Sequence, residues 1–266
     1  MFISISIITC DRMKLSKFCI DSVVRTTPRD KYELIVVDDH STDGTVGMLR
    51  EMEKNKIIDK LVLHSDYHYL GYCNNKAWSL TGKKSEWLLT LSNDLFAMDS
   101  WFANFTKVAN DLDLDYIFCL LMKFMTRKRD LRCEETVTKN GGIYLKALGR
   151  ERGQTGAALA IRNEIIKKHN IKLVETPFRK DFIGPMPNIS RKLCRMKLKG
   201  TRLGKPCFLI QDPEHSNPEF SEYYSRTFSE RGILPRWNFY KKHGSLRNKR
   251  EYYRGSDYLE RKENDS

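Results

Sequence analysis

What the chain lacks narrows it first. No apolar run among its 266 residues approaches the roughly 20 needed to span a bilayer. Met1-Phe2-Ile3-Ser4-Ile5-Ser6-Ile7-Ile8 enters a strand without a basic leader, so a soluble, unsecreted, cytoplasmic protein is expected. Seven cysteines are an odd number, none is spaced CxxC, and a chain this long has no need of covalent staples. A disulfide scaffold and a cysteine zinc ribbon are thereby set aside, and Cys10, Cys19 and Cys119 read as small core residues in apolar contexts. There is no internal repeat, no low-complexity tract and no clear domain linker, which favours one domain.

What is present suits a globular enzyme-sized body. A hydrophobic fraction of 40% is enough for a real core. Positive charge dominates: 47 Lys plus Arg against 34 Asp plus Glu give a net charge of +13. From Arg191 to Ser266 there are 18 basic and 10 acidic residues, so the last part of the chain carries much of that excess. Such a field suits a nucleic acid, an anionic membrane face or a nucleotide-diphosphate substrate, and equally a solvated basic surface with no partner.

The first hundred residues alternate apolar runs with helical spacing. Strands are predicted over Ile3 to Thr9, Tyr32 to Val37, Lys60 to His64 and Trp87 to Leu91, with helices over Lys14 to Val24, Val46 to Lys56 and Asn74 to Thr81. This rhythm implies a parallel sheet with right-handed crossovers. Beyond it, a helix from Ser100 to Leu112, a buried strand from Tyr116 to Met125, an apolar stretch from Gly156 to Ile161 and a helix from Asn163 to Lys168 are expected. Arg127 to Gly153 is charged and without periodicity, and reads as a surface excursion. Glu175 to Pro187 is irregular, Ser190 to Lys199 has amphipathic helical spacing, Pro206 to Ile210 reads as a last short strand, and the tail from Glu219 is aromatic and basic.

The segment carrying most information is Glu33-Leu34-Ile35-Val36-Val37-Asp38-Asp39-His40-Ser41-Thr42-Asp43-Gly44-Thr45. A continuous aliphatic run marks a strand buried on both faces, and ligands of open α/β sheets bind at the carboxyl ends of such strands. The same residues are also ordinary turn and N-cap types, so Ser41 or Asp43 could serve only to cap the next helix. Asp39, Ser41, Asp43 and Gly44 imitate the opening of a calcium-binding loop, but the twelfth position is Arg50 and not a bidentate Glu, which excludes it.

Taken together, these segments resemble the family 2 glycosyltransferases. Ser6-Ile7-Ile8-Thr9-Cys10-Asp11-Arg12 with Leu15 and Cys19-Ile20-Asp21-Ser22-Val23 is similar to that family's first strand, nucleotide loop and first helix. Val36 to Thr45 is similar to its most specific motif, Leu70-Gly71-Tyr72 with Asn74-Asn75-Lys76-Ala77 to its glycine and asparagine segment, and Leu88 to Asp94 to the strand that ends in its metal motif. Trp237 to Gly244 is a weaker echo near the end. The resemblance is strong over residues 1 to 105 and patchy beyond.

It implies an α/β chain of the GT-A type, the nucleotide-diphospho-sugar transferase fold: a Rossmann-like, mostly parallel sheet flanked by helices, with an irregular, basic, helical C-terminal region. Residues 1 to 215 would form the catalytic domain, with 1 to 105 binding the nucleotide sugar and 106 to 215 the acceptor, and 216 to 266 would pack on it as an extension. The implied activity is inverting transfer of a sugar from a nucleotide-diphosphate donor, UDP-sugar first, with Mn2+ or Mg2+. The acceptor is left open: the resemblance implies a glycan, and the basic last third with no membrane anchor suits a polyanion such as hydroxylated DNA.

The resemblance also assigns residues. Asp39 would accept a hydrogen bond from the nucleobase, with Thr9, Asp11 and Asn75 in the same nucleoside pocket and Arg12 reaching base or phosphate. Asp94 would hold the metal and Asn93 add a carbonyl oxygen, because the triplet Ser92-Asn93-Asp94 has one carboxylate fewer than the family pattern. His215, beside Asp212 and Glu214, is either a metal ligand or a structural histidine. For the general base, Arg195 and Gly200 fit the family pattern but the acidic positions fall on Asn188 and Ile189. The nearest carboxylates are Asp181 and Glu175, and Asp181, between aromatic and basic neighbours, is the expected base, with a surface ion pair as its other reading. Loss of these carboxylates also motivates a different class, a nucleotide-sugar-binding protein without turnover. A nucleotidyltransferase is disfavoured, since no glycine-rich phosphate loop follows the first strand.

Overall fold

The computed structural model describes residues 1–119, 133–147, 158–175, 189, 192–193, 195–204 and 207–210. In chain order the elements are β1 (Ile3–Thr9), α1 (Met13–Thr26), β2 (Tyr32–Asp38), α2 (Thr45–Lys54), β3 (Lys60–Leu63), α3 (Tyr69–Ser79), β4 (Trp87–Ser92), β5 (Leu95–Ala97), α4 (Trp101–Asp111), β6 (Tyr116–Phe118), β7 (Cys133–Val137), β8 (Ile143–Ala147), β9 (Ala158–Arg162), α5 (Asn163–Lys168), β10 (Gly200–Leu203) and β11 (Phe208–Ile210).

Nine strands form one sheet in the order β3-β2-β1-β4-β9-β6-β10-β8-β7, and β11 pairs with β5 in a separate two-stranded ribbon. The half built from β3, β2, β1 and β4 is parallel throughout. In the other half β9 runs against both β4 and β6, and β8 runs against β10 and β7. The reversed β9 means that α5 follows the sheet from the opposite end, while β1, β2 and β4 all finish at one edge.

Alternation along the strands divides the core into two layers. Ile3, Ile5 and Ile7 of β1, Leu34 and Val36 of β2, and Trp87, Leu89 and Leu91 of β4 face α1, α2 and α4. Ile8, Ile35, Val37 and Leu88 face α3 and α5 instead. Trp87, Trp101, Phe105 and Phe208 are fully buried. Each such ring contributes about 2–3 kcal/mol of burial, against a few tenths for an exposed helical ion pair such as Lys17 with Asp21. Packing of helices on the sheet therefore holds the fold. Glu33, buried at the start of β2 on the α3 side, is satisfied by Ser4 Oγ at 2.5 Å, the Gly82 amide at 2.5 Å and Lys60 Nζ at 2.8 Å.

Several expectations are met at residue level. β1 and α5 have the predicted bounds, and Cys19 and Cys119 are buried, Cys10 half so. Others need correction. The segment expected as a surface excursion contains the β7–β8 hairpin, whose charged side chains hid it: Glu134 and Glu135 are exposed on the outer strand. Gly141-Gly142 is its turn, with Gly141 at φ 77 and the Gly141 amide bonded to the Thr138 carbonyl at 3.0 Å. Helix α3 begins five residues before the predicted Asn74, since Tyr69 and Leu70 already turn. Strands β5 and β10 were not foreseen. Among the described residues no helix is long and apolar enough to cross a membrane.

Candidate functional site

The carboxyl ends of β1, β2 and β4 lie side by side, with Thr9 opposite Asp38 and Ile8 opposite Ser92 in register. Three loops leave this edge, and their polar residues bind one another before any ligand is considered. Asp38 is fully buried and saturated from within: Oδ1 accepts from Thr9 Oγ1 at 2.7 Å and Ser41 Oγ at 2.5 Å, and Oδ2 accepts from the Ser41 amide at 2.9 Å. Asp38 is thus a staple of the loop.

Asp11 and Arg12 turn the chain out of β1 with successive left-handed φ values of 52° and 58°. Such conformations cost about 1–2 kcal/mol per non-glycine residue, so something must hold them. The Asp11 amide donates to Ser41 Oγ at 2.6 Å and Asp11 Oδ1 accepts from the Thr42 amide at 2.7 Å. Asp43 adds a third tie. Its Oδ2 accepts from the Met13 amide at 2.9 Å and its Oδ1 from the Thr45 amide at 3.2 Å, so one carboxylate caps both α1 and α2. The capping role left open for Asp43 is the one it has, extended to two helices.

At the end of β4, Arg12 Nη2 donates to Asn93 Oδ1 at 2.6 Å and Arg12 Nη1 lies 3.7 Å from Asp94 Oδ2. Asn93 Nδ2 donates in turn to Ser16 Oγ at 2.8 Å. Both side chains of the ion pair are largely sheltered, 9% exposed for Arg12 and 14% for Asp94. A guanidinium and a carboxylate are therefore set together at the mouth of the edge, where a phosphate group and a cation could each find a partner.

Asp39, on the α3 side, has Oδ1 held by the His68 amide at 2.7 Å. The Cys73 thiol also bonds this carboxylate, and burial together with the Asp39 charge pushes that thiol well above its ordinary pKa, so it stays protonated. The structure thus gathers Thr9, Asp11, Arg12, Asp39, Asn93 and Asp94 along one edge. Asn75 is engaged differently. Its amide brackets the Leu173 backbone, accepting from N at 2.9 Å and donating to O at 2.9 Å, and it also reaches Glu175 Oε1 at 2.6 Å. Gly71 explains why that segment can come so close: a Cβ there would sit 1.9 Å from the Val174 carbonyl oxygen. Asp181 and His215 lie outside the described residues.

Sequence reasoning passed over Asp38 as a staple and over a group of rings beside Asp39. His64 and His68 have centroids 4.6 Å apart, and His68 and Tyr72 4.7 Å. The density of histidine and tyrosine between His64 and Tyr72 was the available signal.

The model of the family described as Glycosyl transferase family 2 matches residues 4–177. The chain belongs to glycosyl transferase family 2. Solved structures agree on the GT-A fold. S. aureus TarS 1-349 superposes with a TM-score of 0.62 at 16% identity over 80% of this chain and 61% of that one. The mannosyltransferase PcManGT from Pyrobaculum calidifontis, in complex with GDP-Man and Mn2+, gives 0.56 at 18% identity over 77% and 54%. GalNAc-T7 with UDP, GalNAc and Mn2+ gives 0.58 at 16% identity over 78% and 43%. This family 2 chain thus spans less than two thirds of each of those structures. No curated protein matches it in sequence.

Proposed function

We propose that the protein transfers a sugar from a nucleotide-diphosphate donor, a UDP-sugar first, to an acceptor hydroxyl with inversion at the anomeric carbon. The observation that carries the proposal is the convergence of Asp39 with the Arg12 and Asp94 pair at adjoining strand ends of a family 2 fold. Each group has a task that its chemistry suits. The Asp39 carboxylate accepts from a ring N–H of the base. The Arg12 guanidinium, aimed by Asn93, offsets charge gathering on the departing diphosphate. The acceptor oxygen bonds to the anomeric carbon as its bond to the diphosphate oxygen breaks, and the acceptor proton passes to a carboxylate, for which Asp181 is proposed.

A divalent cation fits this donor set in one way. Among the described residues no three ligating side chains gather, so the protein offers Asp94, and a hard ion would complete its shell from diphosphate oxygens and water. Mn2+ or Mg2+ bound there would supply further neutralisation of the leaving group, and His215 is proposed as a further ligand. The catalytic domain is proposed to run to residue 215 with 216–266 as its extension, and the acceptor to be a glycan or a polyanion such as modified DNA. The net charge of +13 favours the polyanion. Binding to DNA would weaken steeply with added salt, and binding to a neutral glycan would not.

One specific observation supports a second reading, a nucleotide-sugar binder without turnover: the triplet Ser92-Asn93-Asp94 has one carboxylate fewer than the family pattern, and the Asn93 oxygen that could stand in for it is already taken by Arg12. Incubation with Mn2+ and a panel of nucleotide sugars, followed by measurement of nucleotide release, separates the two. Release that disappears in Asp94→Ala supports the transferase. Tight binding with no release or transfer under any condition supports the binder, and no binding of any nucleotide sinks both.

A further inference from the structure

Resting on the reading of Asp39 as the group that accepts from the nucleobase, we infer that His64 Nε2 is a second base-reading atom, donating to the carbonyl that flanks the ring N–H bound by Asp39.

The placement follows from strand register. Asp38 pairs with Leu63 across β2 and β3, and the ladder continues with the His64 amide donating to the Asp38 carbonyl at 3.0 Å. Asp39 and His64 are the next residues on neighbouring parallel strands, so their side chains leave the same face of the sheet. That is the face covered by α3, whose first turn binds Asp39 through the His68 amide. His64 packs there edge-on against His68 at 4.6 Å and at 5.6 Å from Tyr72. Tyr72 is one of the few large side chains left substantially exposed, at 37%. The three rings thus make an aromatic wall beside the Asp39 carboxylate, and a base can stack on such a wall.

His64 Nε2 is shielded from solvent and has no hydrogen-bond partner among the described residues. A buried polar atom left in this state is destabilising, and its retention calls for an explanation. Two other atoms in this state, Trp87 Nε1 and Tyr32 Oη, belong to the packed core layer on the opposite face of the sheet, and Asn74 Oδ1 lies within α3. His64 Nε2 is at the ligand edge, next to the carboxylate already assigned to the base.

The charge state is suited to reading a neutral base. Burial lowers the His64 pKa, and the His68 ring and Lys76 act in the same direction, while Asp39 and Asp38 oppose them. The imidazole is therefore neutral near pH 7, and its Nε2–H tautomer is a donor. A carboxylate and a donor side by side match a ring N–H next to a C=O. Uracil and guanine present that pair. Cytosine and adenine present a bare ring nitrogen next to an amino group, so both contacts would be lost and Asp39 would face a lone pair.

The test is calorimetric titration of the full chain with UDP, GDP, CDP and ADP, for the unchanged protein and for His64→Phe, His64→Gln and Asp39→Asn. His64→Phe keeps a ring in the wall and removes Nε2, and should weaken UDP or GDP binding about five- to tenfold while leaving the weak CDP and ADP binding unaltered. His64→Gln restores a donor and should recover part of the loss. A His64→Phe affinity equal to that of the unchanged chain overturns the inference and leaves Asp39 standing, provided Asp39→Asn still loses binding. An Asp39→Asn variant that binds normally overturns both. As a measurement free of substitution, the Nε2 resonance of His64 should move on UDP addition to the unchanged protein; a resonance that stays put at saturation also overturns it.

Discussion

Arg12 spans the two side chains that follow β4, donating to Asn93 Oδ1 at 2.6 Å and standing 3.7 Å from Asp94 Oδ2. Asn93 thereby acts as the aiming device of a cation. A carboxylate in its place would compete with Asp94 for the same guanidinium.

Replacing Asn93 therefore separates two roles. Asn93→Ala removes a buried hydrogen bond to a charged group and should cost about 1.5–3 kcal/mol of stability, read from the urea midpoint. Asn93→Asp restores a second carboxylate and should tighten Mn2+ binding in the presence of UDP, followed by the paramagnetic resonance of the free ion. Mn2+ affinity unchanged by Asn93→Asp would show that the asparagine is not what limits the metal.

Gly71→Ala drives a methyl group into the Val174 carbonyl, which lies 1.9 Å from the position a Cβ would take. The 171–175 segment must then lift from α3, and the contacts between Asn75 and the Leu173 backbone go with it. Overpacking of this kind costs about 1–3 kcal/mol, and a denaturation midpoint within error of the unchanged chain would disprove the close approach.

Asp43→Ala uncaps α1 and α2 together. At about 1 kcal/mol per cap the expected loss is roughly 2 kcal/mol. Asp21→Ala, which breaks an exposed i,i+4 pair with Lys17, should by contrast cost under about 0.5 kcal/mol. Equal midpoints for the two variants would mean that Asp43 does not cap both helices.

Acid should weaken the fold partly through His64. Its folded-state pKa lies below the ordinary 6.5, so above that value the ring is neutral in both states. As pH falls through 6.5 the unfolded chain takes up a proton that the folded one resists, and stability drops until the folded pKa is passed. The thermal midpoint should fall less between pH 7 and 5 in His64→Phe than in the unchanged protein. Parallel curves would exclude His64 as a contributor.

The donor half was legible because its signals are local. β1 and β2 are buried on both faces; β2 appears as an aliphatic run from Leu34 to Val37 ending in Asp38, and β1 as isoleucines spaced by the small Ser4 and Ser6 and ending in Thr9. β10 is different: Gly-Thr-Arg-Leu has no run to notice, and Gly200 is in the strand because the Tyr116 ring lies where a Cβ would go, 2.0 Å away. That is a contact made across 84 residues. The short β5 is defined only by β11, more than a hundred residues later.

Within the site the same division holds. The family resemblance of the local motifs pointed to Asp39, Arg12 and Asp94, and the structure sets all three along one edge. The role of Asp38 was not legible, because it depends on Ser41 and Thr9 folding back onto its carboxylate. Asn75 likewise gained its role from Leu173, a partner 98 residues distant.

The saturation of Asp38 bears on how a ligand is received. Its three bonds freeze the loop that carries Asp39, so the conformational entropy of that loop, of order 1–2 kcal/mol per residue, is surrendered when the chain folds and not when a nucleotide arrives. Association then proceeds onto a surface already in shape, and binding energy that would have gone into ordering the loop stays available for distinguishing one nucleotide from another.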